Sequence, residues 1–306
     1  MTVSIYELIK QNPSAPLPGR EADEIPGGYE AAVLRTTRKI NKGSFVNHGT
    51  ARIVRRFISN PTDSAMKEVE DRFIAYTAIS LTDPVLSILS GMKNDASRLH
   101  DGAVKLCTQS GAIEAVKFGI ALLGDERSRI SELTDNDAEI IMTLSRCEEF
   151  TLYGAVALKN ILPKEKADAA LRELACTLHG WGKIAVMYEL DYSLPEVRDW
   201  TLRYGCQNTI GLSYLANVCA IKGKMRSYLE ELNASGEEFE PEHFTGITLI
   251  FKGLLEDDPN NDGIYEYPDA HESADLYKEI VGRSSADIKN KAADVLHGLR
   301  VKRIIS

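Results

Sequence analysis

The residues best suited to chemistry stand in one short stretch, "DPNNDGIYEYPD", residues 258 to 269. Asp258, Asn260 and Asp262 fall at the first, third and fifth positions of the loop pattern that wraps calcium in oxygen ligands. Gly263 takes the sixth, Glu266 the ninth and Asp269 the twelfth. Helical sequence flanks it on both sides, "HFTGITLIFKGLLED" before and "AHESADLYKEIV" after. No cofactor is expected of the chain as a whole, with calcium at this loop as the alternative. Pro259 and Pro268 stiffen the loop, aspartate at its end reaches less far than glutamate, and Asn-Asp-Gly is a common turn, so a hydrated acidic turn is the competing reading.

A second cluster is basic. Between Ala31 and Asn60 stand Arg35, Arg38, Lys39, Lys42, Arg52, Arg55 and Arg56 with no acid among them. Arg52, Arg55 and Arg56 share one side of a helix and suit phosphate or an acidic partner, or form a solvated face. The net charge of −9 speaks against nucleic acid as the main partner, because phosphate binding needs clustered cations. Cys176 and His179 lie one turn apart as zinc ligands might, but no second short ligand pair accompanies them. All five cysteines lie in apolar helical stretches and are expected to be buried and reduced. No nucleophile elbow, phosphate-binding glycine loop, dinucleotide fingerprint or His-Glu-x-x-His motif is present. A catalytic set gathered from Glu148, Glu149, Tyr188 and Arg203 would leave no spacing signature. Among the aromatics of the middle region, Trp200, set among Arg198, Asp199 and Arg203, is the candidate for a half-exposed partner anchor.

These groups need elements to position them. Ser4 and Glu7 have capping-box spacing and open a short helix, followed by a proline- and glycine-rich stretch that reads as an extended arm over residues 1–28. From Tyr29 on, apolar residues recur at three-and-four spacing, broken by turn signals, and no alternating strand pattern appears. Residues 29–306 therefore read as one helical domain. Apolar-glycine pairs recur at Phe118-Gly119, Tyr153-Gly154, Trp181-Gly182 and Ile210-Gly211, about 35, 28 and 29 residues apart. Glycine costs a helix about 1 kcal/mol against alanine, so its recurrence at Gly119, Gly154, Gly182 and Gly211 predicts close helix approach. Periods of this length belong to stacked helical hairpins.

In "ELDYSLPEVRDWTLRYG", Asp191, Pro195, Val197, Arg198 and Gly205 fall where HEAT-type repeats place such residues. The chain resembles the HEAT/armadillo class, including its short variety, across residues 110–236. The resemblance implies an all-α superhelix, a curved solenoid of hairpins in which Asp191 and Arg198 hold neighbouring hairpins together. Ser193 and Glu196 have capping-box spacing, with Pro195 in the first turn. Residues 237–306 form a less regular acidic part. Composition, with 43% hydrophobic and 26% charged residues, fits a chain that buries a core. No apolar run is long enough to insert in a membrane, and the N-terminus lacks a secretory signal, so a cytoplasmic location is expected. The functional expectation is a non-enzymatic scaffold that binds a protein or peptide through its concave surface. The alternative is an enzyme or small-ligand-binding protein with its pocket in the groove near Trp200 and Arg203.

Overall fold

The computed structural model describes residues 3–20, 24–29, 43–93, 95–125, 134–259 and 261–306. Arg35, Arg38, Lys39, Lys42 and Asn260 lie outside the described residues. Among those described, every regular element is a helix and no strand occurs. None of the described helices is long and apolar enough to cross a membrane. The contacts divide the chain into two compact units, Met1–Glu189 and Leu190–Ser306, and the division falls inside the span that carries the repeat pattern.

The first unit contains α1 (Ile5–Gln11), α2 (Ser44–Ser59), α3 (Asp63–Tyr76), α4 (Ala78–Ser90), α5 (Ala96–Gln109), α6 (Ile113–Leu123), α7 (Asp135–Ser145), α8 (Glu148–Ile161), α9 (Lys164–Thr177) and α10 (Trp181–Glu189). Consecutive helices pack as hairpins: α5 with α6, α7 with α8, α9 with α10. In α2, Ala51, Val54, Phe57 and Ile58 face the core while Arg52, Arg55 and Arg56 stay exposed, the two sides of one amphipathic helix. Phe73 of α3 stacks on Phe118 of α6 with ring centroids 4.4 Å apart.

Helix starts follow local chemistry. Asp95 accepts from Ser97 N and Arg98 N at the head of α5. Thr134 and Asp137 close a full capping box on α7. Ser4 precedes α1 as the spacing with Glu7 predicts, but it makes no side-chain cap. Its hydroxyl donates instead to Thr108 O at 2.5 Å, and Ile5 N donates to Ser110 O, so the box gives way to a tether onto the end of α5.

Three of the repeat glycines sit in tight quarters. A Cβ on Gly119 would lie 2.9 Å from Leu106 Cβ, and one on Gly182 would lie 2.7 Å from Thr151 Oγ1. One on Gly154 would collide with Ser145. Gly211 differs, since it lies in the loop before the next helix and meets only its own neighbours at ordinary contact distance. Its apolar-glycine spacing coincides with a turn held by Asn208, whose Oδ1 accepts from Ile210 N and Gly211 N.

The second unit contains α11 (Pro195–Trp200), which continues into a π-helical turn (Thr201–Gly205), then α12 (Ser213–Lys222), α13 (Met225–Ser235), α14 (Pro241–Leu255), α15 (Ala270–Arg283) and α16 (Ala286–Val301). α14 is its centre and packs against the π turn, α12 and α16. Phe239, Phe251 and Tyr277 form its aromatic core. The expected Ser193 cap is absent: Leu194 precedes α11, whose first residue is Pro195. Asp191 Oδ1 instead accepts from Ser193 N, and the Arg198 guanidinium donates to the carbonyls of Tyr192 and Ser193. Asp191 and Arg198 thus close their own turn.

Asp137 gives the first unit a pH dependence. Burial pushes its carboxyl up, but Thr134 N–H, the His100 imidazole and the Thr134 hydroxyl together outweigh that and hold it below its usual value. A depressed carboxylate stabilises fully above the ordinary value near pH ~4 and loses that contribution as pH falls through the lowered native value. Asp137→Asn is expected to cost about 1–2 kcal/mol at neutral pH. The gap from wild type in urea midpoint should narrow as pH falls below the ordinary aspartate value near ~4, and a constant gap would show that the cap alone matters.

Candidate functional site

The residue pattern of α4 puts Ile79, Thr82, Asp83 and Leu86 on one stripe, and that of α8 does the same for Leu152, Tyr153, Val156, Ala157 and Asn160. Between these stripes stands the end of α6, with Ala121, Gly124 and Asp125. Gly124 permits the approach, since a Cβ there would come within 2.6 Å of Ala157 Cα, and Asn160 Nδ2 donates to Gly124 O at 2.8 Å. Together the three elements line an open cleft of about 260 Å³.

Its wall is mainly apolar, with two hydroxyls that find no partner. Thr82 Oγ1 and Tyr153 Oη are buried and make no hydrogen bond among the described residues, and Thr82 as a whole is 8% exposed. An orphaned buried hydroxyl costs on the order of 1–3 kcal/mol. Burial, followed by the nearby carboxylates of Glu114, Glu149 and Asp83, pushes the Tyr153 phenol well above its ordinary value, so it is a neutral donor at physiological pH.

Behind Tyr153 lies an ionic cluster. Lys117 of α6 is fully buried, with Nζ 2.8 Å from Glu114 Oε1, 2.5 Å from Glu149 Oε1 and 6.0 Å from the Tyr153 ring centre. Glu149 is itself buried, and its other oxygen lies 2.6 Å from Arg20 Nε. Glu114 also accepts from Ala78 N at 2.5 Å, tying the start of α4 to α6. Two cations thus face two carboxylates at the centre of the cluster, and Glu24 pairs with Arg20 at its edge.

The N-terminal arm completes this wall. Lys117 Nζ donates to Gly27 O, and Gly28, at φ +105°, passes so close that a Cβ there would lie 3.3 Å from Leu152 and 3.6 Å from Tyr153 Oη. Tyr29, fully buried, donates its hydroxyl to Glu148 O at 2.7 Å and accepts from Leu152 N at 3.2 Å, bridging one turn of α8. Burial holds this phenol far above its usual value, against the hydrogen bonds from Thr151 and Leu152.

Of the four residues that could have formed a catalytic set, Glu149 joins the cluster, whereas Glu148 accepts from Gly180 N at 2.6 Å. Tyr188 is exposed, and Arg203 belongs to the second unit. There, Arg203 lies 3.0 Å from Asp199 and 3.1 Å from Glu240. The buried His243 contacts the same two carboxylates and stacks on Tyr228. Burial pushes the Tyr228 phenol up to about 12. Trp200 is half-buried beside Tyr204, ring centres 6.4 Å apart. In the first unit, exposed Arg56 pairs with Glu68, and Arg52 and Arg55 are exposed on the same helix.

The carboxylates of the 258–269 loop are engaged by the protein. Asp258 accepts from Ser213 Oγ and Asn261 Nδ2, Glu266 from Gly263 N, and Asp269 from Arg226 Nη1. Asp262 has interactions of its own. No group of three or more His, Cys, Asp or Glu side chains among the described residues is placed to hold a metal, which applies equally to Cys176 and His179. Four cysteines are buried as expected, but Cys176 is exposed, because it falls on the outer side of α9 opposite Leu171, Leu174 and Ala175.

Sequence reading passed over Lys117, Arg20, Tyr29 and Thr82. A lone lysine in the apolar helix "IEAVKFGIALL" was the available signal, since a buried ammonium needs a carboxylate partner. Comparison with protein-family models, with curated proteins and with solved structures finds no match for this chain.

Proposed function

We propose that this protein binds a small molecule in the pocket between α4, α6 and α8, within a HEAT-like stack of helical hairpins that serves as its scaffold. The observation that carries the reading is the pair of buried hydroxyls on pocket residues, Thr82 Oγ1 and Tyr153 Oη, without hydrogen-bond partners among the described residues. Buried polar groups in native proteins are nearly always satisfied, and an exception in an otherwise apolar pocket is what a ligand's polar group corrects. The ionic cluster behind them ties α6 to α8 and the arm, a supporting shell of the kind that holds a binding wall in place.

The test uses Thr82→Val and Tyr153→Phe. Each removes a hydroxyl at nearly constant shape, so the free protein is expected to keep or gain stability, by up to about 1 kcal/mol in urea unfolding. A fragment set observed by ligand NMR should yield binders that compete with one another and weaken in both variants. A loss of more than about 1 kcal/mol in the free variants would mean that the hydroxyls have partners in the protein and would sink the reading.

A protein- or peptide-binding role is the second reading, favoured by the ring pair of Trp200 and Tyr204. Tyr204 is 38% exposed, and Arg203 beside it is held in place by Asp199 and Glu240. Tryptophan, tyrosine and arginine are the side chains that most often anchor such interfaces.

A further inference from the structure

We infer that the exposed side of α2 is a docking surface for a membrane carrying anionic phospholipids, on which the protein rests without inserting a helix. This surface is separate from the pocket, to which α2 contributes no residue.

Phe45, His48, Arg52, Arg56 and Ser59 recur at three-and-four spacing and form one exposed stripe, with exposed Arg55 beside it. The stripe runs along about 20 Å of helix. Its charge is open. Arg52 and Arg55 have no hydrogen-bond or ion-pair partner among the described residues, and Arg56 pairs with Glu68. The other acids of neighbouring α3 are engaged away from the stripe: Asp71 with Lys67, Asp63 with Lys105, and Glu70 with the Ser110 hydroxyl and Gly111 N. The sequence between Ala31 and Asn60 carries seven cations and no acid, in a chain of net charge −9. Clusters of about four to eight such cations mark segments drawn to anionic lipid.

Phe45 decides among the anionic partners. It is 91% exposed, the most exposed large apolar side chain among the described residues, and it heads the stripe that the arginines continue. At a lipid surface the ring enters the boundary between headgroups and acyl chains, while the guanidinium groups meet phosphates and stay hydrated. A nucleic-acid strand calls for rings interleaved with the cations, and this stripe has its one phenyl ring at the end. A single free phosphate calls for donors gathered round one point, whereas these are spread along a helix. A plane of many headgroups meets them all.

The experiment is flotation of the full chain at low salt with two kinds of vesicle, phosphatidylcholine alone and phosphatidylcholine with about one third phosphatidylserine. Binding is expected to the second only, and added salt should weaken it. Arg52→Gln with Arg55→Gln should weaken it about thirtyfold, and Phe45→Ser about fivefold. Both variants should keep the wild-type urea midpoint, because all three side chains are exposed. Lys166→Gln with Lys289→Gln removes the same charge from exposed positions elsewhere and should leave binding unchanged.

Equal binding to the two vesicles, or binding to neither, would overturn the inference. So would binding that survives the paired arginine change, or that falls as far with the paired lysine change. A Phe45→Ser protein that binds as wild type would remove the lipid assignment. Displacement by inorganic phosphate well beyond that by chloride of equal ionic strength would give the arginines to a free anion instead. Tighter binding to a single-stranded oligonucleotide than to the anionic vesicles would give them to nucleic acid.

Discussion

Glu149→Ala is expected to destabilise the protein by about 3 kcal/mol, the largest loss from any single charge removal in the first unit. Glu149 is 5% exposed and stands between Lys117, which is fully buried, and Arg20. Its removal leaves an ammonium in the interior with Glu114, one backbone carbonyl and the Tyr153 ring as its neighbours among the described residues. The penalty arises from stranding that charge, since intact buried pairs contribute little net stability. A double variant, Lys117→Met with Glu149→Leu, should therefore recover most of the loss, to within about 1 kcal/mol of wild type. Urea unfolding of the three proteins at one pH makes the comparison. A single variant that behaves like a surface substitution, shifted by less than about 0.5 kcal/mol, would contradict the burial of the cluster.

The same cluster shows where sequence reading ends. Helices are local: three-and-four apolar spacing places α8, α14 and α15 where the structure has them, because periodicity alone defines a buried face. Close approach is partly local too, since a glycine amid an apolar helix implies a neighbour, as Gly119, Gly154 and Gly182 demonstrate. The pattern misleads at Gly211, where the same dipeptide belongs to a turn. Ion clusters and pockets are not local at all. Arg20, Gly27, Glu114, Lys117 and Glu149 come from an arm and two helix faces, and beyond the i,i+3 pair of Glu114 and Lys117 nothing in their spacing joins them.

The acidic loop shows the reverse. Its spacing is close to that of a calcium loop, yet spacing says nothing of competing partners. Arg226 lies far back in the sequence but supplies Asp269 with a cation, and burial being slight, its two carboxylate partners, Asp269 first and Glu230 next, raise the guanidinium well above its usual value. Ser213 and Asn261 likewise take up Asp258. A calcium ion at this loop would compete with these contacts for the same carboxylates.

Gly246→Ala is expected to disrupt the second unit by about 3 kcal/mol, well beyond the ~1 kcal/mol that alanine ordinarily gives back in a helix. Gly246 lies in the middle of α14, where that helix crosses the π turn, and a methyl there would fall on Leu202 O and lie 2.6 Å from Arg203 O. These are backbone atoms, so no rotamer change makes room. The wider π turn is what turns those carbonyls toward α14, and the glycine is what lets α14 come up to them. Relief would require either that α14 shift away from α11 or that the π turn rewind as α-helix. Each route moves Arg203 relative to Glu240 and His243 relative to Asp199, contacts that join the same two elements. The variant should therefore unfold at lower urea and show altered Trp200 fluorescence before unfolding begins, because Trp200 adjoins the turn. Gly282→Ala serves as the control, since a Cβ there meets nothing within 4 Å, and it is expected to be neutral or slightly stabilising. Equal behaviour of the two variants would refute the close crossing and, with it, the role of the π turn in bringing Asp199 and Arg203 onto α14.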